Sequence, residues 1–220
     1  MLANVQAADD KLAKWQQSNS VPTENTLYGI WGSSSTDVFA VGVYGTIVHY
    51  DGSRWTEMKS GTDRHLNDIW GSSSNNVFAV GDSTILHYDG NRWSDINMGN
   101  YNLNFYGIWG SSDNNLFIVS HYSETILHYN GSSWTEMTTQ NGDNRFEQHV
   151  PNIWGHSEND VFALDTIDIH HYDGNQWTAM NANNIISVII LFISKHPFGL
   201  LKYNYNYFSV VNPYSVNCLT

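Results

Sequence analysis

The stretch LYGIWGSSSTDVFAVGVYGTIVHYDGSRWTEM, residues 27–58, is one copy of a unit that recurs along the chain. Its apolar runs are short and rich in Val, Ile, Phe, Tyr and Trp, and Gly, Ser, Asn and Asp interrupt them at regular intervals. That is strand chemistry rather than helix chemistry. The unit reads as four antiparallel strands: Tyr28 to Gly32 (a), Val38 to Val41 (b), Thr46 to Tyr50 (c) and Trp55 to Met58 (d). Strand b is apolar at every position, which requires cover on both faces. The c–d connection carries Asp51-Gly52, and later copies carry Asp89-Gly90, Asn130-Gly131 and Asp173-Gly174. An Asx-Gly pair suits a tight hairpin that needs positive φ.

All nine tryptophans fall on two positions of this unit. Trp31, Trp70, Trp109 and Trp154 stand in I-W-G, spaced 39, 39 and 45 residues. Trp15, Trp55, Trp93, Trp134 and Trp177 open the d strands, spaced 40, 38, 41 and 43. A repeat of that length with one supersecondary unit per period is the mark of a repeat array. Four-stranded units repeated radially make a β-propeller. The expected fold is therefore all-β, a propeller of about four four-stranded blades, read as part of a larger ring. Blades are expected near 27–58, 66–96, 105–137 and 150–180, preceded by a lone d strand at 15–18. Residues 1–14 form an N-terminal extension, 15–181 the repeats and 182–220 a divergent tail. One blade cannot bury its own faces. Each Trp can bury roughly 150–250 Å², about 4–6 kcal/mol gross, but only against a neighbour, so the Trp ladder reads as a packing device.

The pairs His49-Tyr50, His87-Tyr88, His128-Tyr129 and His171-Tyr172 recur once per blade. Blade geometry separates equivalent histidines, while zinc needs three or four ligands around one point. They are expected to make structural hydrogen bonds. Asp37, Asn76, Asn115 and Asp160, which end the a–b turns, are expected to bond nearby backbone. No metal and no cofactor is called.

A formal charge of −12 with only nine Lys plus Arg argues against a nucleic-acid partner. The single cysteine, Cys218, allows no internal disulfide. Repeats dense in Ser, Asn, Gly, Tyr and Trp suit a secreted or surface protein. The tail changes composition abruptly. Its apolar run from Ile185 to Ile193 is nine residues, against about 20 for a spanning helix, so no membrane span is expected. The tail reads as non-native, with a divergent final strand pair as the alternative.

The string LYGIWGSSSTDVFAVG…GTIVHYDGSRW resembles bacterial propeller repeats of the broad WD/YVTN/BNR-like class, over about residues 15 to 180. The resemblance implies a ring of six to eight blades, and a protein secreted or exposed on the cell surface, often as part of a larger one. More distant Asp-box relatives include sialidases, whose turn motif S-x-D-x-G-x-T-W is matched only in part by the HYDGSRW of the c–d turn. The sialidase pattern also implies an arginine triad. Arg54, Arg64, Arg92 and Arg145 cannot supply it, because Arg54 and Arg92 sit in equivalent c–d turns.

Antiparallel strands put the a–b and c–d loops on one edge and the b–c and d–a loops on the other. The first set barely changes between copies, and the variation falls on the second. Positions that a scaffold leaves free are where function can be placed. The candidate ligand-binding residues on that edge are Tyr44, Arg64, His65, Tyr101, Asn102, Tyr122, Arg145, His149 and Asp168. Tyr with Asn, Arg and His suits a carbohydrate or protein ligand, with aromatic faces for stacking and polar groups for orientation. The leading expectation is a non-catalytic binding module. The alternatives are a glycoside hydrolase or lyase using Asp165, Asp168 and Glu124, which would need paired carboxylates at a set separation, and an assembly or scaffolding factor. Exposed end blades also predict self-association.

Overall fold

The computed structural model describes residues 21–96, 103–120, 125–137, 152–164 and 169–180, with the backbone of two further strands at 200–204 and 207–211. Sixteen of the strands form four sheets of four, each antiparallel and in sequence order. Blade 1 holds β1 (Leu27–Ser34), β2 (Asp37–Gly42), β3 (Ile47–Tyr50) and β4 (Trp55–Met58). Blade 2 holds β5 (Leu66–Ser73), β6 (Asn76–Gly81), β7 (Thr84–Tyr88) and β8 (Trp93–Asp95). Blade 3 holds β9 (Phe105–Ser112), β10 (Asn115–Ser120), β11 (Ile126–Tyr129) and β12 (Trp134–Met137). Blade 4 holds β13 (Asn152–Ser157), β14 (Asp160–Leu164), β15 (Ile169–Tyr172) and β16 (Trp177–Met180). The strands β17 (Leu200–Asn204) and β18 (Tyr207–Val211) pair only with each other. The first strands of consecutive blades pack together, β1 on β5, β5 on β9 and β9 on β13.

The first strand of each blade runs longer than the sequence predicts. Between Gly32 and Ser34 the register slips, so that Ser34 still pairs with Asp37. The same slip recurs at Gly71/Ser73 and Gly155/Ser157. Such bulges increase local twist and re-aim side chains, which here continues the sheet into the a–b turn.

The core lies between blades, where strand b supplies both faces. Phe39 and Val41 of blade 1 join Ile69, Val77 and Trp93 of blade 2 in one cluster. Phe78 and Val80 of blade 2 join Ile108, Leu116 and Leu127 of blade 3 in another. The alternation of V-F-A-V is thus split between two joints, as its unbroken apolarity requires.

The I-W-G motif has a direct steric reason. A β-carbon on Gly71 would lie 2.7 Å from the Trp31 indole, one on Gly110 2.9 Å from that of Trp70, and one on Gly155 2.5 Å from that of Trp109. Each tryptophan therefore lies flat on the glycine of the next blade. The d-strand tryptophans close the outer part of the same joints. Trp177 is fully buried, with Phe117 edge-on at 6.3 Å and its Nε1 donating to Met137 Sδ at 3.3 Å. Trp93 meets Phe39 in the same way at 6.2 Å.

The lone d strand expected at 15–18 and the N-terminal extension lie outside the described residues. Among the described residues no helix is long and apolar enough to cross a membrane.

Candidate binding site

The two edges of the propeller are built differently. On the a–b/c–d edge, every blade repeats one arrangement. Asp51 Oδ1 accepts the N–H groups of Ser53 and Arg54, both at 2.9 Å. Asp89, Asn130 and Asp173 hold their own turns in the same way. The following glycines, Gly52, Gly90, Gly131 and Gly174, have φ between 87° and 96°. The a–b turn presses against them: a β-carbon on Gly52 would sit 2.8 Å from Thr36, and one on Gly90 2.9 Å from Asn75 Oδ1. The backbone N–H groups hold the carboxyls of Asp51, Asp89 and Asp173 below the usual aspartate range. Arg54 and Arg92 belong to these turns, on the edge expected of them.

The Asx residues that end the a–b turns bond side chains, where backbone partners were expected. His49 Nε2 donates to Asp37 Oδ1 at 2.6 Å, His87 to Asn76 at 2.5 Å, His128 to Asn115 at 2.5 Å and His171 to Asp160 at 2.9 Å. Ser33 donates to the other oxygen of Asp37, while Asn76 and Asn115 donate to Ser72 and Ser111 at 2.9 and 2.7 Å. The bulge explains the change of partner. It brings the serine beside the start of strand b, and the b–c register sets the histidine opposite the phenylalanine two residues farther on, His49 across from Phe39, from where it reaches the Asx side chain. Each imidazole also stacks on the strand-b phenylalanine, Phe39, Phe78, Phe117 or Phe162, with ring centroids 4.2–4.6 Å apart. The histidines are thus structural, one relay per blade. Burial pushes His87 and His128 below the ordinary imidazole value. Among the described residues no three His, Cys, Asp or Glu side chains are placed to hold a metal ion.

The opposite edge carries Tyr44, Arg64 and His65 of the predicted ligand residues. The structure brings these three together. Tyr44 lies in a short 3-10 turn at Val43–Gly45 between β2 and β3, with φ 55° and 68% of its surface exposed. Its N–H donates to His65 Nδ1 at 3.0 Å, and the two rings meet nearly edge-on, centroids 5.2 Å apart. A tyrosine in the left-handed region is strained, and such strain collects at functional positions. The neighbouring loop fixes the backbone there, because Gly45 leaves no room for a side chain against the Thr62 carbonyl. Arg64 is differently employed. Its Nη1 donates to the carbonyls of Asp82, at 3.2 Å, and of Ser83, so it ties the d–a loop to the b–c loop of the next blade. His65 completes that tie, its carbonyl accepting Asp82 N–H at 3.0 Å. Tyr101, Asn102, Tyr122, Arg145, His149 and Asp168 lie outside the described residues, as do Glu124 and Asp165.

One residue of this region was not singled out from the sequence. Asp68, near the start of β5, reaches across to blade 3, where its Oδ2 accepts the N–H of Ile108 at 2.9 Å; Oδ1 accepts that of Ile69. The residue as a whole is half-buried, and its carboxyl end is the enclosed part. Burial pushes the carboxyl up to about 6, against the pull of the two N–H groups. The signal was present in the repeat: the equivalent positions are Gly29, Gly107 and Asn152, none of them charged.

No protein-family model matches the chain, and no curated protein does. Solved structures of similar fold are β-propellers. A structure of YCF48 bound to D1 peptide is 18% identical with TM-score 0.57, over 73% of this chain and 55% of that one. Virginiamycin B lyase from Staphylococcus aureus is 15% identical with TM-score 0.61, over 74% and 58%. The RRP9 WD40 repeats are 9% identical with TM-score 0.60, over 74% and 53%. The match thus spans little more than half the length of these proteins. At such identities the likeness shows the propeller fold and no more. The fold serves a peptide-bound protein and a lyase alike, so function has to be argued from the site.

Proposed function

We propose that this propeller is a non-catalytic binding module that recognises a carbohydrate or protein ligand through its variable-loop edge, outside the cell. The observation that carries the reading is Tyr44: a strained, exposed aromatic ring braced by His65 on the edge where the repeats diverge. A rigid tyrosine offers a flat face for the apolar side of a sugar ring or for a side chain, at little cost in ordering. Arg64 supports it by locking the two loops behind it. The remaining candidates of that edge, Tyr101, Asn102, Tyr122, Arg145, His149 and Asp168, would extend the same surface. The peptide bound to YCF48 is a precedent for the fold holding a peptide. The composition of the repeats supports the extracellular assignment.

The test is binding of the labelled chain to a glycan array and to an array of overlapping peptides. Tyr44→Ala and His65→Ala should each weaken the best hit about tenfold or more, roughly 1.4 kcal/mol. Arg54→Ala and Arg92→Ala, on the other edge, should leave it unchanged. The reverse pattern would move the site to the constant edge. Hydrolysis of a sialoside or aryl glycoside, abolished by Asp168→Asn, would replace binding with catalysis.

A further inference from the structure

Two loops on the variable edge hold a residue in the left-handed region, and they anchor it differently. Tyr44 has φ 55°, and Ser83, in the corresponding loop of blade 2, has φ 50°. The Ser83 N–H donates to a backbone carbonyl, that of Leu103, at 3.0 Å. The Tyr44 N–H donates to a side chain, His65 Nδ1, also at 3.0 Å. The rest of the Tyr44 turn is anchored on backbone: Gly42, Val43 and Thr46 donate to the carbonyls of Thr46, Thr26 and Val43, each at 3.0 Å. A carbonyl oxygen needs no titration to accept, whereas an imidazole nitrogen accepts only while it is bare.

A backbone N–H can only donate, so Nδ1 presents its lone pair and the ring proton sits on Nε2. A second proton has one place to go, which is Nδ1. There it sets two N–H groups against each other at the point that holds the turn. The same ring meets the exposed Tyr44 ring nearly edge-on, so the brace fixes the direction of the aromatic face as well as the backbone. Tyr44 is strained, and a turn that loses its brace relaxes.

We propose that His65 is an acid-release switch for the Tyr44 site: neutral, it holds the ring in place for a ligand, and protonated, it lets the turn go. The proposal rests on the reading of Tyr44 as the ligand-facing residue and adds its regulation. The charged and titratable groups about the switch are Asp63 and Arg64 in its own loop, Asp68 on the strand that follows, the Tyr44 phenol, and Asp82 in the loop whose N–H donates to the His65 carbonyl. Arg64 Nη1 is held by the carbonyls of Asp82 and Ser83. Those acceptors are backbone oxygens, so this tie persists in acid and the switch acts on the Tyr44 turn.

The test reads the switch without a ligand, by nuclear magnetic resonance on the full chain labelled with nitrogen-15. At about pH 7.5, above the ordinary imidazole range, the imidazole spectrum should show the His65 proton on Nε2 and Nδ1 bare. As the ring is protonated toward about pH 5, the hydrogen-exchange protection factor of the Tyr44 amide should fall about fivefold, the reach of one net hydrogen bond, while that of Ser83 holds. His65→Asn places a carbonyl oxygen near the site of Nδ1 and should keep Tyr44 protection level at both pH values. A proton on Nδ1 at neutral pH would overturn the proposal. So would Tyr44 protection that holds down to the acid end, or a fall that persists in His65→Asn. Failure here is distinct from failure of the binding reading, which the glycan and peptide arrays decide.

Discussion

Asp51, Asp89 and Asp173 lie on one edge of the propeller, and Asp68 lies near the other. The first three are exposed, clasped by two backbone N–H groups of their own turns, and held below the usual aspartate range. Asp68 also accepts two backbone N–H groups, one of them from the next blade, yet enclosure raises it to about 6. The number of hydrogen bonds is the same, so the surroundings decide. The constant edge uses its polar groups locally, each turn satisfied within itself and open to water. The variable edge spends its polar groups between loops and blades, and there it accepts strain and an awkward charge. A scaffold edge can be repeated without change because it closes on itself. The variable edge is held by neighbours, so each copy can differ.

The largest expected effect is on the constant edge. Gly90 and Gly61 have similar positive φ, 90° and 82°. Gly90→Ala adds a β-carbon 2.9 Å from Asn75 Oδ1, whereas nothing lies within 4 Å at Gly61. Gly90→Ala should therefore cost about 2–3 kcal/mol and Gly61→Ala about 1 kcal/mol, the cost of the left-handed conformation alone. Urea denaturation of the two variants measures the difference. Equal losses would mean that the a–b turn yields freely and that the constant edge is not the rigid one.

Next come the relays. Asn76→Ala removes the acceptor of His87 and the donor to Ser72, and should cost roughly 1–2 kcal/mol. The pH dependence adds a sign. His87 is held below the ordinary imidazole value by burial, so its contribution is present above about pH 6.5 and is lost as pH falls through its lower folded value. Asn76→Asp gives blade 2 the carboxylate that blades 1 and 4 already have, and a carboxylate favours the charged imidazole. Thermal melts between pH 7.5 and 5 should fall less steeply for Asn76→Asp than for the wild type. A steeper fall would show that His87 is not the group being protonated.

Asp68 runs the other way. Its folded value lies above the unfolded one, so the folded state holds the extra proton between about pH 4 and 6. Stability is greatest below the unfolded value and is lost as pH rises toward 6. Asp68→Asn keeps an oxygen for the Ile108 N–H and drops the charge, as Asn152 does at the same position of blade 4. At pH 7 it should stabilise the chain by on the order of 1 kcal/mol, discounted from the full shift because the residue is half-buried. At pH 4 the gain should vanish. A gain that persists at pH 4 would mean the charge was never the cost.

The propeller was legible because each of its signals is local and repeated. An Asx-Gly turn, an all-apolar strand b and an I-W-G string each need only a few residues to be recognised, and four copies confirm one another. The Asp–His and Asn–His relays were visible as residues but not as pairs. Their pairing depends on the b–c register, and the serine partner on a one-residue bulge after the strand-a glycine; neither leaves a mark in composition. The edge that varies was legible by comparing copies. The division of labour on it was not, because Arg64 and His65 look alike as free polar residues. Only the fold shows that the guanidinium is engaged by two carbonyls while Tyr44 stays open. Asp68 broke the uncharged pattern of its position, and a comparison restricted to loops passes over it.

The smallest effect is the most direct test of where function sits. Tyr44 has φ 55°, which costs a bulky residue on the order of 1–2 kcal/mol. Glycine adopts that conformation freely but loses more backbone entropy on folding, roughly 0.5–1 kcal/mol. The tyrosine ring is 68% exposed, so little packing is lost with it. The sum is small and positive: Tyr44→Gly should raise stability by about 0.5 kcal/mol. Ser83, at φ 50° in the corresponding loop of blade 2, carries no aromatic ring, and Ser83→Gly is the matching control. The two variants should then part in binding, with Tyr44→Gly losing the ligand and Ser83→Gly keeping it. If Tyr44→Gly instead destabilises the chain by 1 kcal/mol or more, the ring against His65 is a structural contact, and the left-handed turn serves the fold rather than a ligand.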